Sequence, residues 1–437
     1  MGMVTRTGMV TTITTTTSSV AGIAMADDDV DVAVIGGGAA GLTAARRLHD
    51  AGIRCLVIEA RARLGGRAWT VTDASGYALD LGCGWLHSAD RNPWSTIAQA
   101  QGLRIDRTPP PWTRPSLEIG FSMTEQLDYF KASHAFYERL DAAERAPDRP
   151  ASELLDPGGR WNNLIIATNT FVSGAELDRI SAHDIVRYDD TGVNWRVIEG
   201  YGAAIAGHGA GLPVALDCAV LRVNHSGLRV RIETAKGTIN ADQVIVTLPT
   251  PILAQETMFA PALPDKVAAA RALPLGLDDK LFLSLEEADE FEKDSRVFGR
   301  TDRAGTGSYH LRPFGRPQIE GYFGGRLASD LEAGGPAAFF DFAVAELTGL
   351  FGSAFARRLK LIHMHCWGTD PYSRGSYSYA QPDKADNRAA LATAIDDRLF
   401  FAGEACSLHH YSTAHGGWFT GVDAADQVRA ARQKRPS

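Results

Sequence analysis

The stretch DVAVIGGGAAGLTAARRL, residues 31–48, decides the fold of this chain of 437 residues. Its apolar run, residues 32–35, is typical of a buried parallel strand. Gly36, Gly38 and Gly41 follow in the G-x-G-x-x-G spacing. Glycines at this spacing permit a tight turn, let the backbone approach a pyrophosphate and let the next helix pack on the strand. The stretch therefore predicts a dinucleotide-binding βαβ unit.

A carboxylate follows at the place where such a unit binds a ribose. The second apolar run, residues 55–58, predicts the next strand, and Glu59 stands at its end, 18 residues after Gly41. An acid there accepts hydrogen bonds from the ribose hydroxyls, whereas an arginine would favour a ribose phosphate. Glu59 therefore favours NAD or FAD as the nucleotide.

A second glycine turn indicates which of these two nucleotides is bound. The segment ARARLGGRAWT, residues 60–70, places Gly65 and Gly66 among Arg61, Arg63 and Arg67. Guanidinium groups beside glycines suit further neutralisation of the same pyrophosphate, which a plain nicotinamide unit does not need. A basic surface loop would explain the arginines but not the glycine pair. The segment therefore favours FAD.

These motifs and their order resemble the flavin-dependent amine oxidase superfamily, and most closely its polyamine and spermine oxidases. The superfamily also contains monoamine oxidases, L-amino-acid oxidases and histone lysine demethylases. The resemblance runs along most of residues 30–430. It implies an α/β fold, in which a Rossmann-like FAD-binding domain is interleaved with an α+β substrate-binding domain.

Four further segments carry the resemblance, and several motifs in the same order are more specific than any one alone. They are DLGCGWLHS (residues 80–88, a flavin-facing loop), VIVTLP (244–249, the strand that returns from the cofactor domain), LDDKLFLSL (277–285, the strand with the active-site lysine) and FFAGEACSLHHYSTAHGGWFTG (400–421, the C-terminal flavin motif).

The resemblance implies catalytic roles for Lys280, Tyr377, Trp418 and His87. Lys280 would hold a water near the flavin N5, although its strand pattern equally allows a place on a solvent face. Tyr377 and Trp418 would form the two walls of an aromatic cage before the flavin. His87 would contact the substrate or cap a loop.

The cofactor-binding residues that the motifs and the resemblance imply come from all of these segments. In the C-terminal motif, Glu404 would reach the ribityl chain, and a helix starting within residues 413–417 would stabilise an anionic reduced flavin with its N–H groups. The full set is Gly36, Gly38, Ala39, Ala40, Gly41, Glu59, Ala60, Arg61, Gly66, Arg67, Gly82, Gly84, Trp85, Val220, Trp367, Gly403, Glu404, Thr413 and Ala414.

The stretch WGTDPYSRGSYSYAQ, residues 367–381, bears on how the flavin is held. In the monoamine oxidases of the resembled family, a cysteine at the position of Ser376 bonds covalently to the flavin. A serine cannot form that thioether, and the loop is very similar to that of the polyamine oxidases. The resemblance therefore implies non-covalent FAD.

The landmarks predict an interleaved layout of three parts. Residues 1–27, which are rich in threonine and serine, would be a disordered tail. An export signal is the weaker alternative, and Met25 is a candidate start. The FAD-binding domain would comprise residues 28–90, 197–256 and 383–433, and the substrate-binding domain residues 91–196 and 257–382, with a helix over 124–145.

Net charge, hydropathy and cysteine content exclude some classes of binding partner. The net charge of −8 argues against a nucleic-acid surface, and no apolar run approaches the roughly 20 residues of a membrane span. Five scattered cysteines do not form a disulfide framework, which favours a reducing, cytoplasmic compartment. No histidine and cysteine group has a four-ligand spacing, so we expect no metal site.

The sequence predicts an FAD-dependent amine oxidase that oxidises a C–N bond of an amine or polyamine with O2, giving an imine and hydrogen peroxide. A second interpretation is an L-amino-acid oxidase or a desaturase, for which Arg160 and Arg187 are candidate carboxylate ligands. A third is a flavin-bound scaffold without catalysis, against which Lys280, Tyr377 and Trp418 argue. The sequence leaves open the substrate, the bond cleaved, the electron acceptor and the oligomeric state.

Overall fold

The computed structural model describes residues 30–434. The predicted tail over residues 1–27 lies outside these residues. Within the described part of the chain, every helix is too short or too polar to cross a membrane.

The strands are short and come from the whole length of the described chain. Between residues 30 and 434 they are, in order, β1 (Val30–Ile35), β2 (Cys55–Ile58), β3 (Thr70–Thr72), β4 (Ala78–Asp80), β5 (Ile105–Asp106), β6 (Arg196–Val197), β7 (Val214–Ala215), β8 (Val220–Asn224), β9 (Val230–Thr234), β10 (Gly237–Val246), β11 (Phe259–Ala260), β12 (Leu275–Gly276), β13 (Asp278–Leu285), β14 (Ser295–Phe298), β15 (Ser308–Leu311), β16 (Gln318–Gly324), β17 (Leu359–Met364), β18 (Tyr377–Ser378) and β19 (Leu399–Phe401).

The α-helices range from one turn to nearly six. In the same residues they are α1 (Ala39–Asp50), α2 (Pro93–Ala100), α3 (Met123–Ala143), α4 (Asn162–Ser173), α5 (Ala182–Val186), α6 (Tyr201–Gly207), α7 (Thr250–Leu253), α8 (Pro264–Ala272), α9 (Gly325–Glu332), α10 (Gly335–Phe351), α11 (Asn387–Ala392) and α12 (Ala414–Lys434).

The larger sheet has eight strands in the order β11-β8-β9-β10-β1-β2-β7, with β19 also paired to β10. β1 pairs in parallel with both β2 and β10, as a βαβ unit requires. Successive residues of β1 alternate between two apolar cores, with Val32 and Val34 in one and Ala33 and Ile35 in the other. The sheet is therefore covered on both faces.

Helices α1 and α12 pack closely because glycines lie where they meet. A Cβ atom on Gly421 would lie 2.4 Å from the carbonyl oxygen of Ala40, and one on Gly417 would lie 3.5 Å from the Cβ atom of Ala39. Because glycine has no Cβ atom, the first turns of α12 can lie beside the first turn of α1.

The smaller sheet is antiparallel, with the strand order β14-β15-β16-β13-β17. One face carries apolar residues such as Leu281, Tyr309 and Phe323, which are buried against α9 and α10. The opposite face begins with Asp278, Lys280 and Phe282, because side chains alternate along a strand. This second face turns towards a cavity.

Helix α3 begins with a capping box, in which the Ser122 hydroxyl accepts a hydrogen bond from the N–H of Glu125 and the Glu125 carboxylate accepts one from the N–H of Ser122. The helix predicted over residues 124–145 is thereby confirmed as Met123–Ala143. Together with α4 and α5 it packs around an aromatic and aliphatic cluster that includes Phe136 and Trp161. The division of the chain into two interleaved domains stays a prediction.

Candidate active site

A cavity of about 1550 Å³ runs from the two glycine turns to the polar face of the smaller sheet. Pockets for drug-sized ligands commonly measure about 300–1,000 Å³. The cavity therefore has room for a dinucleotide and a second, smaller molecule. Nearly all of the predicted site residues line it; Gly41 and Trp418 are the two that do not.

The two glycine turns contact each other. The N–H of Gly65 donates to the carbonyl oxygen of Gly37 at 2.8 Å, and Gly38 and Gly65 form a parallel bridge. Gly36 has a φ of +106°, and a Cβ atom on Gly41 would lie 1.9 Å from the carbonyl oxygen of Gly36. Helix α1 has no side-chain cap at its N-terminus. Its first N–H groups are therefore free to bind a pyrophosphate in the cavity.

Glu59 is buried at the end of β2 and lines the cavity. Its Oε2 accepts from the N–H of Gly37 at 2.7 Å, and its Oε1 accepts from the N–H of Arg61 at 2.9 Å. These bonds fix the carboxylate between the two glycine turns, at the place that the sequence predicts for a ribose ligand.

The three predicted arginines have different roles. Arg61 and Arg67 line the cavity, and each is held by a carboxylate: Arg61 donates to Asp370 at 2.6 Å and Arg67 to Glu404 at 2.8 Å. Arg63 does not line the cavity. It donates to the carbonyl oxygen of Gly66 at 2.9 Å, so it braces the glycine turn rather than meeting a phosphate.

The residues at the other end of the nucleotide site also suit a large planar ring. Gly82, Gly84 and Trp85 line the cavity, and a Cβ atom on Gly82 would lie 3.1 Å from the ring of Trp367. Trp367 is 2% exposed and donates from Nε1 to the carbonyl oxygen of Leu81 at 3.0 Å. The glycine turns, the uncapped helix and this wall together fit an FAD molecule.

Ser376 is fastened to the smaller sheet. Its hydroxyl donates to the carbonyl oxygen of Asp278 at 2.8 Å and accepts from the N–H of the same residue at 2.9 Å. The hydroxyl thereby joins the loop over residues 367–381 to the first residue of β13. Ser376 lines the cavity, but no thiol stands at this position.

Lys280 lies on the cavity face of β13 and is only 6% exposed, so it does not occupy a solvent face. Its Nζ lies 3.0 Å from Oε1 of Glu320 and donates to the carbonyl oxygen of Asp80 at 3.2 Å. Burial alone would lower the pKa of Lys280, but the Glu320 carboxylate raises it above its ordinary value. Lys280 is therefore a cation at neutral pH.

Asp278 stands two residues before Lys280 on the same face and also lines the cavity. Its Oδ1 is buried without a hydrogen-bond partner among residues 30–434. Burial raises the pKa of this carboxyl well above its ordinary value, although the charge of Lys280 acts in the opposite direction. A carboxyl and a cation thus share one wall, and only the cation has a full set of partners.

Of the two residues of the predicted aromatic cage, Tyr377 lines the cavity and Trp418 does not. The Tyr377 ring lines the cavity, and its hydroxyl donates to the carbonyl oxygen of Phe171 at 2.6 Å. Trp418 packs against the core beneath the larger sheet and does not line the cavity. Gly417, the preceding residue of α12, does line the cavity. Trp418 as the second wall of the cage stays a prediction.

His87 lines the cavity, and its Nδ1 lies 2.6 Å from Oδ1 of Asn194. Burial lowers the pKa of His87, while the nearby Asp190 partly opposes the shift. Asn194 therefore orients a neutral imidazole. Its contact with substrate stays a prediction.

Neither arginine named for an amino-acid oxidase reaches the cavity. Arg160 is exposed and pairs with Glu125, and Arg187 pairs with Asp386 at the surface. The cavity-lining arginine of the smaller sheet is instead Arg296 on β14.

Sequence reasoning missed several polar residues of the cavity wall. The signal was present in each strand, because a charged or polar residue alternates with apolar ones, but alternation does not tell a cavity from solvent. The residues that line the cavity are Asp278, Arg296, His310 and Tyr322, and Glu320 lies on the same face of the sheet beside Lys280.

Behind Lys280, charged groups continue into the protein. Nδ1 of His310 lies 4.0 Å from Oε2 of Glu320, and its Nε2 lies 3.0 Å from Oδ1 of Asp294. Arg196 joins Asp294 at 3.0 Å to Asp106 at 2.7 Å. Burial would raise the pKa of Asp294, but hydrogen bonds from His310 and Arg196 hold it below its ordinary value.

Comparison with known proteins finds a matching family and relatives that cover most of this chain. A family model described as flavin containing amine oxidoreductase matches residues 39–118 and 174–429. Polyamine oxidase 2 of Arabidopsis thaliana is 28% identical over 94% of this chain and 90% of its own length. Polyamine oxidase 3 of Oryza sativa subsp. japonica is 27% identical over 91% and 88%. Lysine-specific histone demethylase 1 homolog 2 of the same rice is 27% identical over 92% of this chain and 57% of its own length.

Proposed function

Because this chain belongs to the flavin containing amine oxidoreductase family and is an FAD-dependent amine oxidase, we propose that it oxidises the C–N bond of an amine bound between Asp278 and Tyr377. The observation that carries this proposal is the placement on one strand face of a carboxyl with an unpartnered oxygen, Oδ1 of Asp278, and a compensated cation, Lys280. An ammonium group suits the first, and developing negative charge suits the second.

The glycine turns, Glu59, Arg67 and Glu404 would hold the FAD. When bound, FAD supplies the acceptor for the hydride that leaves the carbon next to the amine nitrogen. The imine that results is hydrolysed by water to an aldehyde and an amine or ammonia, and O2 receives the electrons and two protons to become hydrogen peroxide. Because Ser376 cannot form a thioether, we expect the FAD to be bound without a covalent bond.

The amine must lose a proton before its lone pair can form the imine. An aliphatic ammonium with a pKa near that of lysine, about 10.4, is almost fully charged at pH 7. Asp278 is placed to take that proton, and burial has already raised the pKa of its carboxyl towards that of the donor. A carboxyl of ordinary pKa would make the same transfer less favourable.

Lys280 serves as a fixed donor rather than as a base. Glu320 keeps it charged, and the carbonyl oxygen of Asp80 and the backbone of Gly84 limit its movement. A Cβ atom on Gly84 would lie 2.9 Å from its Nζ, so the glycine leaves room for the ammonium. A donor held in this way orients a water or oxygen species and stabilises negative charge on it.

The test is anaerobic reduction of the bound flavin by a panel of monoamines, polyamines and amino acids, followed by a peroxide assay in air. We expect bleaching of the flavin by at least one amine and stoichiometric peroxide afterwards. A second measurement, acid precipitation, should release the flavin into the supernatant. Failure of every amine to reduce the flavin would overturn the proposed oxidation, and flavin retained in the pellet would overturn non-covalent binding.

A further inference from the structure

Arg296 is a cavity-lining arginine without a protein partner. It lies on β14, and its side chain makes no hydrogen bond or ion pair with any residue between 30 and 434. Its guanidinium contacts the ring of Phe298, with 4.7 Å to the ring centroid. Burial lowers the pKa of Arg296 to about 10, so the group is still charged at neutral pH.

Two buried arginines near the cavity are compensated. Arg388 donates to both carboxylate oxygens of Asp184 at 2.7 Å, and Arg196 lies between Asp294 and Asp106. Arg296 is half-buried, and its Nε atom is buried without a hydrogen-bond partner among residues 30–434. Because a charge withdrawn from water without a counter-charge is unfavourable, Arg296 is the position at which this wall lacks an anion.

Strand register places Arg296 on the same face as Lys280. Lys280 pairs with Tyr322, Tyr322 with Ser308 and Ser308 with Phe298. Phe298 is two residues from Arg296, so both side chains of β14 turn to the face that carries Lys280. Three strand spacings, about 14 Å in total, separate β13 from β14.

The wall around Arg296 is largely aromatic. Phe121, Tyr129 and Phe298 line the cavity there, and Phe121 and Phe298 are in ring contact, with centroids 6.2 Å apart. A molecule that reaches from Asp278 to Arg296 therefore meets a carboxyl at one end and a cation among aromatic rings at the other, and it passes the polar side chains of β16 and β15 between them.

We propose, on the premise of the amine oxidation above, that Arg296 binds a carboxylate that the substrate carries at the end remote from the oxidised nitrogen. One guanidinium matches one negative charge, whereas a phosphate monoester carries about −1.5 to −2. An α-amino acid is too short, because its amine and carboxylate share one carbon atom. A free polyamine would place a second ammonium beside Arg296, which like-charge repulsion disfavours.

The experiment compares ω-aminocarboxylates of increasing chain length with the n-alkylamines of equal length. In the wild-type holoenzyme, kcat/KM for the acids should rise above that of the alkylamines once the chain spans the two strands. Arg296→Gln should lower kcat/KM for those acids by about 10- to 100-fold, the size of a charge-assisted hydrogen bond, and leave the alkylamines unchanged. Arg296→Lys should restore part of the loss.

The matched control is Arg300→Gln. Arg300 lies four residues further along the chain, is exposed, pairs with Asp302 and does not line the cavity. This variant should retain the preference for acids. A wild-type enzyme without that preference at any chain length, or an equal loss for acids and alkylamines in Arg296→Gln, would overturn the proposal.

A binding measurement separates this proposal from the proposed oxidation. Simple alkanoates, which contain no amine, should raise the melting temperature of the wild-type holoenzyme and not that of Arg296→Gln. If no amine reduces the flavin but alkanoates still stabilise only the wild type, the oxidation fails and the carboxylate site stands. If alkylamines reduce the flavin but alkanoates have no effect on either protein, the carboxylate site fails and the oxidation stands.

Discussion

The two faces of the smaller sheet are built from the same strands and do opposite things. Leu281 and Lys280 are neighbours on β13, yet Leu281 is fully buried among aliphatic and aromatic side chains, whereas Lys280 meets Glu320 and the cavity. The apolar face packs against helices α9 and α10. The polar face carries several buried polar atoms without a hydrogen-bond partner among residues 30–434, including Oδ1 of Asp278 and Nε of Arg296.

This difference shows which face of the smaller sheet carries interactions that oppose folding. Unpaired buried charges oppose folding, and strained or uncompensated groups collect at sites that a ligand completes. The apolar face offsets this unfavourable free energy, because its residues, such as Tyr309 and Phe323, are fully buried. Substitutions on the apolar face should therefore change stability, whereas substitutions on the polar face should change activity.

The largest effect should come from Lys280→Met. Removing the donor should leave FAD bound but slow flavin reduction, reoxidation or both by about 10²–10⁴-fold, as for other positioned proton-transfer groups. Stopped-flow absorbance of the flavin in each half-reaction measures this. Lys360→Met is the control, because Lys360 lies on β17 of the same sheet, is exposed and pairs with Glu286. Equal traces for Lys280→Met and wild type would remove Lys280 from the mechanism.

Leu281→Ala should lower stability and leave activity nearly unchanged, the reverse of Lys280→Met. The cavity left in the core face should lower the free energy of unfolding by about 2–5 kcal/mol, while activity per bound FAD at low temperature stays near wild type. Denaturant unfolding gives the first quantity and the peroxide assay the second. Leu361→Ala on β17, which removes a side chain that is 40% exposed, should change stability much less. A selective loss of activity in Leu281→Ala would mean that the two faces are coupled.

Asp278→Asn should lower kcat/KM by about tenfold, a barrier increase of about 1.4 kcal/mol, and raise the melting temperature. The sign follows from the raised pKa of Asp278: the folded protein holds this proton more tightly than the unfolded chain does. The carboxyl therefore opposes folding increasingly as pH rises above about 3.9, the ordinary value for aspartate. The gain in melting temperature should vanish below that pH.

Asp279→Asn is the matched control for this variant. Asp279 is buried next to Asp278 but faces away from the cavity and accepts from the N–H of Trp367 at 3.1 Å, which an asparagine oxygen can also do. Burial and the nearby Glu332 raise the pKa of Asp279 well above its ordinary value, so Asp279→Asn should also stabilise the protein. Activity should remain. A loss of activity in both variants would assign the effect to the strand rather than to the cavity carboxyl.

The smallest effect should come from Tyr377→Phe, because this residue belongs to both functions. Its ring lines the cavity, while its hydroxyl holds the carbonyl oxygen of Phe171 near the end of α4. Losing that hydrogen bond should reduce stability by about 0.5–1.5 kcal/mol and leave kcat/KM nearly unchanged. Thermal melts and steady-state kinetics check both expectations. A tenfold loss of kcat/KM would show that the hydroxyl takes part in the reaction.

The sequence predicted local features well where a motif and its spacing lie within one short segment. The first strand, the glycine turn and the strand that ends at Glu59 were readable because a βαβ unit demands them within about 30 residues. The helix over residues 124–145 was readable from its composition and is found as Met123–Ala143. The role of Trp418 rests on motif similarity alone, because the side chain packs against an apolar core and is not among the residues that line the cavity.

What the sequence determined by itself is the family, the cofactor and the segments that approach it, because short-range spacing of glycines and acids carries that information. Only the tertiary structure decided which charges face the cavity and which of them lack partners. Asp278, Glu320, His310 and Arg296 come from four strands, and antiparallel pairing across the smaller sheet brings them onto one face of that sheet. The physical reason is that alternation along a strand gives each residue one of two faces, while register and packing choose which face is buried against the core and which borders the cavity.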